Sequence, residues 1–420
     1  MITGYGMVTC LGEDAETTFR KASKGLSGIN YLTSFDTAGL PCRIGGEVKD
    51  EWLGEDEGPS AHRYYKFSCR GLRLMRKATF EAADRSSLDG INERGRIGLS
   101  LGFHGDNPSV EDLRFLHRFY DGHGSWDMSS LMSTGGYSYL NFLRRKPDVA
   151  TSILSKLFDC KGPNLTIASA CAAGSQAIGE ACRMIRDGTA DVMIAGGAES
   201  TLNFVGYTGF VLIRALCDRY STPQTASRPF DRKRSGFVMS EGAAAVVLEE
   251  LQHALERKAP IFGELLGYGS SADAYRITDT HPQGLGAVIA MRGALEDAGL
   301  GPEDIDYINA HGTSTTQNDL TETTAIKKAF GDRARRIPVS SNKSMLGHAI
   351  AAAGPIEMIL TLLGMRASVI LPTINYRHPD PKCDLDYVPN EAREQAHARA
   401  LSNSFGFGGQ NACLCVGLYR

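Results

Sequence analysis

The 420-residue chain contains no CxxC pair and no repeated cysteine spacing. Its ten cysteines stand at 10, 42, 69, 160, 171, 182, 217, 383, 413 and 415, so neither a zinc site nor a disulfide framework is expected. It also lacks a strong net charge. At −3 it offers no net basic field to hold nucleic acid or an anionic membrane, although a local basic patch could still receive an acidic partner. No run of about 18 or more apolar residues exists, so no membrane insertion is expected. The opening MITGYGMVTCLG is too short and too glycine-rich for a signal peptide. Low-complexity linkers are missing as well, because the 47 glycines are dispersed. These absences point to a cytoplasmic protein whose cysteines are mostly small buried apolar residues in a reducing compartment.

What is present is a folded α/β pattern. The composition, 42% hydrophobic and 22% charged, is that of a globular chain long enough for two ordinary domains or one large double-core domain. Buried strands are predicted over 97–101, 192–195 and 243–248, with a further strand over 165–168. Between them, Ile178, Ala181, Cys182 and Ile185 form one stripe of a helix over 175–186, with Gly188 as its stop. The pattern restarts near 255. Strands are predicted over 261–268, 307–310 and 412–418, and helices over 285–298 and 351–363. This alternation gives two α/β parts, 1–255 and 256–420. In the last strand, Cys413 and Cys415 share one face. Residues 103–145 differ from the rest: polar, rich in Gly, Ser, Tyr and His, and without a strong period. They read equally well as a surface excursion with short helices or as a segment facing substrate or another subunit.

Four segments carry reactive groups among small residues. In SACAAGSQAIG (169–179), Cys171 follows a strand and precedes a small-residue helix. The positive end of that helix favours a thiolate, although a single buried cysteine is usually inert. In NAHGTSTTQND (309–319), His311 ends a short strand ahead of a hydroxyl run, which would equally suit a structural histidine and a helix cap. In SNKSMLGHAIAAAGPIE (341–357), Lys343, His348 and Glu357 fall on and before an alanine-rich helix. A buried lysine beside a carboxylate could fix the position and proton state of an imidazole. In NSFGFGGQNA (403–412), glycines alternate with Phe405 and Phe407, letting backbone N–H groups approach a ligand.

Together, one Cys, two His, one Lys and a C-terminal GFGG turn, in that order, resemble the type II elongating β-ketoacyl synthases of the thiolase superfamily. The resemblance covers nearly the whole chain and includes GYGMVTCLG, ADVMIAGGAES (190–200) and RPFDRKRSGFVMSEGAA (228–244). It implies a thiolase-like fold, two similar halves stacked as a five-layer α-β-α-β-α sandwich, in a homodimer. It implies that Cys171 accepts an acyl group from acyl carrier protein. His311 and His348 would then hold a malonyl thioester carbonyl while decarboxylation produces an enolate, an interaction worth most where charge develops. Lys343 and Glu357 match a supporting pair, and Asp319 and Glu322 match acidic residues nearby. The N–H groups of Cys171 and Phe407 match an oxyanion hole, and Phe407 also matches a gate. Thr313 and Thr315 match hydroxyls that bind the phosphopantetheine arm, with Phe405, Gly408 and Gly409 also on the substrate side. Arg63, Lys66 and Arg219 are candidates for carrier docking. No metal and no resident cofactor are implied, since phosphopantetheine arrives on the carrier.

The match has departures. Thr316 stands where the family usually has Pro, Ser240 replaces a common Gly, Ser235 replaces a common acidic residue, and Ala172 follows the nucleophile. The 103–145 segment is longer than in housekeeping elongation enzymes, which leaves open a specialised lipid or polyketide substrate. Three other readings stand beside the main one. A chain-length-factor-like partner subunit would lack the nucleophile. A true thiolase would use a second cysteine near the C-terminus. A cysteine acyl hydrolase would pair Cys171 with His311 and have no use for Lys343 or His348.

Overall fold

The computed structural model describes residues 1–54, 64, 66–135 and 139–419. Ten core strands are numbered here in chain order. The first five are β1 (Ile2–Thr9), β2 (Ile97–Gly102), β3 (Asn164–Ile167), β4 (Val192–Glu199) and β5 (Gly242–Glu249). The other five are β6 (Glu264–Ala272), β7 (Tyr307–Asn309), β8 (Val339–Ser340), β9 (Arg399–Phe405) and β10 (Gln410–Gly417). The first set forms one sheet in the order β1-β5-β4-β2-β3, and the second forms another in the order β6-β10-β9-β7-β8. Each sheet therefore reads 1-5-4-2-3 within its own part of the chain. In each, the first two pairings are antiparallel and the last two parallel. The two parts share one topology although their sequences show no clear repeat.

Six helices supply the remaining layers: α1 (Arg70–Ser86), α2 (Val149–Leu157), α3 (Ala173–Arg186), α4 (Leu285–Asp297), α5 (Thr316–Phe330) and α6 (Ala353–Ala367). Helices α1 and α2 cover the outer face of the first sheet and α4 that of the second, with α5 packed beside α4 in the same apolar layer. Helices α3 and α6 lie between the sheets and pack on both. The result is five layers, α-β-α-β-α. Burial on both faces explains the unbroken apolar strands: every residue of β4 and of β5 is buried. Residues Ile350–Ala367 are long and apolar enough to cross a membrane, but 89% of that stretch is buried inside the protein.

The two central helices begin alike. A single 3₁₀ turn, Ala170–Ala172, leads into α3, and another, Ile350–Ala352, leads into α6. Each turn opens on a non-glycine residue with positive φ, Ala170 at +48° and Ile350 at +39°. The sequence Ala-Ala-Gly follows in both, at 172–174 and 352–354. The helices cross at these glycines. A β-carbon on Gly174 would strike the carbonyl of Ala351, and one on Gly354 would strike the hydroxyls of Ser175 and Ser404.

Some expectations shift. The strand predicted over 261–268 runs instead over Glu264–Ala272, because Pro260 and the Gly263 bridge to Ile2 delay its entry into the sheet. The 103–145 segment contains three short helices, Val110–His117, Met128–Ser133 and Tyr139–Leu143. Cys413 and Cys415 do share one face, packed in the apolar layer beneath α4.

Candidate active site

Cys171 sits in the 3₁₀ turn between β3 and α3, 2% exposed. The strained turn and the helix behind it hold the thiol at the floor of a cavity of about 450 Å³. His348 arrives from the other half. Its backbone N–H donates to the Val238 carbonyl at 2.7 Å, and Nε2 lies 3.1 Å from Cys171 Sγ. His311 enters two residues past β7, with its ring centroid 5.2 Å from that of His348 and the planes at 82°. One donor atom from each of the three residues lies within 4.8 Å of the others.

Buried charges behind the histidines set their proton state. Lys343 Nζ donates to both oxygens of Glu357 at 2.6 and 2.8 Å, and both side chains are buried. Burial and the Lys343 charge hold His311 and His348 well below the ordinary imidazole range, with His348 adding to the effect on His311. Both rings are therefore neutral near pH 7. Neither Nδ1 has a hydrogen-bond partner among the described residues. A buried unpaired N–H is costlier than an unpaired ring acceptor, which favours the proton on Nε2. Three donors this close could in principle hold a metal, but the adjacent Lys343 charge opposes a cation.

Helix α5 clamps the His311 loop. Glu322 accepts the backbone N–H groups of His311 at 2.8 Å and Gly312 at 2.7 Å, and Asn403 Nδ2 at 3.1 Å. Burial pushes the Glu322 carboxyl up to about 7, with Gly312, Asn403 and His311 acting against it. Asp319 accepts the N–H groups of Phe230 at 2.8 Å and Ser314 at 3.2 Å and faces Arg234 at 3.7 Å. Thr315 caps α5 by accepting the Asn318 N–H at 3.3 Å. Asn309 Oδ1 and Ser402 Oγ, on register partners of β7 and β9, are buried without a hydrogen-bond partner among the described residues.

The thiol is less acidic than its place at a helix N-terminus suggests. Burial pushes Cys171 up to about 11, with the Phe407 backbone N–H and the Lys343 charge pulling the other way. Desolvation is the largest of these influences and favours the thiol over the thiolate at rest.

The structure brings most of the predicted residues together. Cys171, His311, His348, Thr313, Thr315, Phe405 and Phe407 all line the cavity, while Lys343, Glu357, Asp319 and Glu322 stand behind its wall. The glycine on the wall is Gly406. Gly408 and Gly409 instead build the turn itself, at φ +92° and +82°. Lys66 and Arg219 are exposed on the surface, and Arg63 lies outside the described residues. Sequence reading missed Arg214, Gly236 and Thr278–Thr280 on the wall. Arg214 adopts φ +57°, and the others lie in polar turns whose only sequence signal is their turn composition.

A buried thiol with two neutral imidazoles and backbone N–H groups at one cavity floor is a thiol-based acyl-transfer centre, and the layers around it are thiolase-like. Residues 1–254 match the family described as beta-ketoacyl synthase, N-terminal domain, and 262–377 match beta-ketoacyl synthase, C-terminal domain. The chain belongs to the beta-ketoacyl synthase family and is an acyltransferase-class ketosynthase. It is 40% identical to 3-oxoacyl-[acyl-carrier-protein] synthase 2 of Coxiella burnetii, over 99% of this chain and 97% of that protein. It is also 40% identical to the Synechocystis protein of the same name, over 100% and 98%. Among solved structures it resembles a beta-ketoacyl synthase from Burkholderia phymatum, with TM-score 0.87, 31% identity, and coverage of 100% and 99%. It is equally similar to a type II PKS ketosynthase in complex with its acyl-carrier protein, with TM-score 0.87, 30% identity, and coverage of 100% and 98%.

Proposed function

We propose that this protein is a 3-oxoacyl-[acyl-carrier-protein] synthase that condenses an acyl group held on Cys171 with malonyl carrier protein, in fatty-acid or specialised lipid biosynthesis. One observation carries the reading: Cys171 Sγ and two neutral imidazoles meet at one cavity floor. In loading, Sγ attacks the thioester carbon of the donor. The oxyanion is received by the N–H groups of Cys171 and Phe407, the carbon–sulfur bond of the donor breaks, and the departing thiol keeps the proton given up by Cys171. In condensation, His311 and His348 donate Nε2–H to the malonyl thioester oxygen. The bond to the carboxylate breaks, CO2 leaves, and the enolate carbon attacks the acyl carbon and expels the Cys171 thiolate, which takes a proton from water to return to the resting thiol. Neutral donors suit this step, since they stabilise an oxyanion that exists only as the bond breaks.

Thr313 and Thr315, whose hydroxyls lie 3.0 Å apart on the cavity wall, suit the amides of a phosphopantetheine arm. Lys66, with Arg70, Arg73 and Arg144 around a basic concavity, and Arg219 suit an acidic carrier. A homodimer is supported by the sheet-edge strand β3 and by exposed Trp126, Met128, Met132 and Tyr139 in the 103–145 segment. Ten free cysteines support a reducing, cytoplasmic setting. The nucleophile and both histidines argue against a chain-length-factor-like role.

The test is intact-mass detection of acyl-enzyme. Wild-type protein should gain one acyl group from a matching acyl carrier protein and release CO2 from malonyl carrier protein. Cys171→Ala should fold and gain none. An adduct that persists in Cys171→Ala sinks the proposal.

A further inference from the structure

His348 reaches across from the second half to Cys171, yet no side chain ties its ring from behind. Nδ1 has no hydrogen-bond partner among the described residues. The place of Nε2, 3.1 Å from Sγ, is therefore set by the backbone and by the rings beside it. Residues 237–241 hold that backbone. Val238 accepts the His348 N–H at 2.7 Å, and the Ser240 N–H donates to the His348 carbonyl at 3.0 Å. Between them, Met239 forms a parallel bridge with His348. The Phe237 ring stands edge-on to the imidazole, with centroids 5.3 Å apart and planes at 73°. The 237–241 stretch is thus a strap along one side of His348.

The strap lies just ahead of β5 and has an anchor of its own. On its far side the Gly46 N–H donates to the Met239 carbonyl, and the Gly46 carbonyl accepts the Glu241 N–H, both at 3.0 Å. The Glu241 side chain closes the joint. It is 1% exposed and accepts the Val48 N–H at 2.8 Å. Arg70, at the start of α1, grips both of its oxygens, Nη2 at 2.6 Å and Nε at 2.7 Å. The same Nη2 donates to the Val48 carbonyl at 2.6 Å. A bidentate, charge-assisted pair therefore stands one residue away from the N–H that holds the His348 carbonyl. A planar fork of this kind fixes direction as well as distance, which an ammonium group would not do.

Resting on the condensing activity proposed above, we infer that Glu241 and Arg70 are positioning residues for that reaction: through the 237–241 strap they set where His348 Nε2 stands relative to Cys171. Neither side chain lines the catalytic cavity. The N–H groups assigned to loading, those of Cys171 and Phe407, are held on other elements, the 3₁₀ turn before α3 and the turn between β9 and β10. The pair therefore bears more on condensation than on loading.

The test uses Glu241→Asp, which keeps the charge but withdraws it by one methylene, and Arg70→Met, which removes the fork and keeps an apolar stem. In single turnovers of acylated enzyme, CO2 release should fall by about ten- to a hundredfold in each, the scale that a misplacement of about 1 Å produces. The KM for the malonyl donor should change little, and acyl loading, followed by intact mass, should fall far less. The double variant Arg70→Met/Glu241→Gln leaves no unpaired buried charge. It should show the same selective loss, and it decides the matter if Arg70→Met does not fold. Equal loss of both half-reactions, tracking a lower urea midpoint, overturns the inference. Arg70 also lines the basic concavity around Lys66, so malonyl-pantetheine is assayed beside malonyl carrier protein. The same loss with both supports positioning, and a loss confined to carrier protein overturns it. A readout without catalysis comes from protein labelled with nitrogen-15 histidine, in which the His348 ring signals, assigned by their loss in His348→Ala, should move in Glu241→Asp. If wild-type enzyme releases no CO2, the activity reading fails, and those signals alone decide the inference: moved supports it, unmoved overturns it.

Discussion

His104 and His311 occupy the same place in the two halves of the molecule. Each stands two residues past a strand, β2 or β7, and those strands hold equivalent positions in their sheets. Their surroundings are opposite. His104 Nδ1 faces Glu199 at 3.2 Å and its side chain is 29% exposed. Burial lowers its pKa, but the hydrogen bond and charge of Glu199 outweigh that and raise it. His311 is buried, faces Lys343 instead of a carboxylate, and is lowered. The adjoining turns differ in the same way, since the 3₁₀ turn before α3 carries Cys171 and its counterpart before α6 carries Ala351. A repeated fold supplies equivalent positions, and the neighbouring charges decide which position does chemistry.

The largest expected effect removes the chemistry on one side only. His311→Ala and His348→Ala should each cut condensation by about 10²–10³-fold while sparing acyl loading more. Single-turnover assays of the two half-reactions would show this, and equal loss in both would break the assigned roles. Next is Lys343→Met, which leaves Glu357 buried without its cation. A loss of about 3–5 kcal/mol in denaturant unfolding is expected. The acid limb of the condensation pH profile should also move to higher pH, because the charge that depresses both imidazoles is gone. A limb that stays put would show that burial alone sets them.

Steric tests of the symmetric crossing should cost less. Gly354→Ala and Gly174→Ala each add a methyl where the opposing helix leaves no space, and about 1–3 kcal/mol is expected from either. If only one is destabilising, the crossing is less symmetric than its sequence repeat. The smallest effect is in the pH dependence of stability, and it should differ in sign between the two histidines. A raised folded pKa means that His104 stabilises below the unfolded value of about 6.5 and loses this as pH rises through its folded pKa. A lowered folded pKa means that His311 costs stability as pH falls below about 6.5, where only the unfolded chain takes the proton. Between pH 7 and 5, urea midpoints of His104→Gln should fall more steeply than wild type, and those of His311→Gln less steeply.

Much of this was legible in the sequence, for identifiable reasons. Strands β4 and β5 announce themselves because burial on both faces demands continuous apolar residues. Cys171 is legible because a strand, a turn and a small-residue helix are local features. The pairing of Glu322 with the His311 loop is local too, but nothing in the pattern shows that Asn403 completes it from 81 residues away. The raised thiol pKa was hidden, because helix-end electrostatics can be read from sequence and desolvation cannot. The shared strand order was hidden as well: hydrogen-bond topology tolerates almost complete divergence of side chains, and only Ala-Ala-Gly before each central helix survives as a trace.

Helix α6 bears on the history of the chain as it is made. Its residues belong to the second half in sequence, yet they pack on strands of both sheets. A ribosome completes more than 350 residues before this helix emerges, so the first sheet must wait with the part of its inner face that α6 covers still open. The segment that finally covers it is long and apolar, as the buried central helix of a layered core must be. The two halves are thus duplicates in architecture but share their central helices, and cutting the chain near residue 255 would leave the first sheet without the contacts of α6.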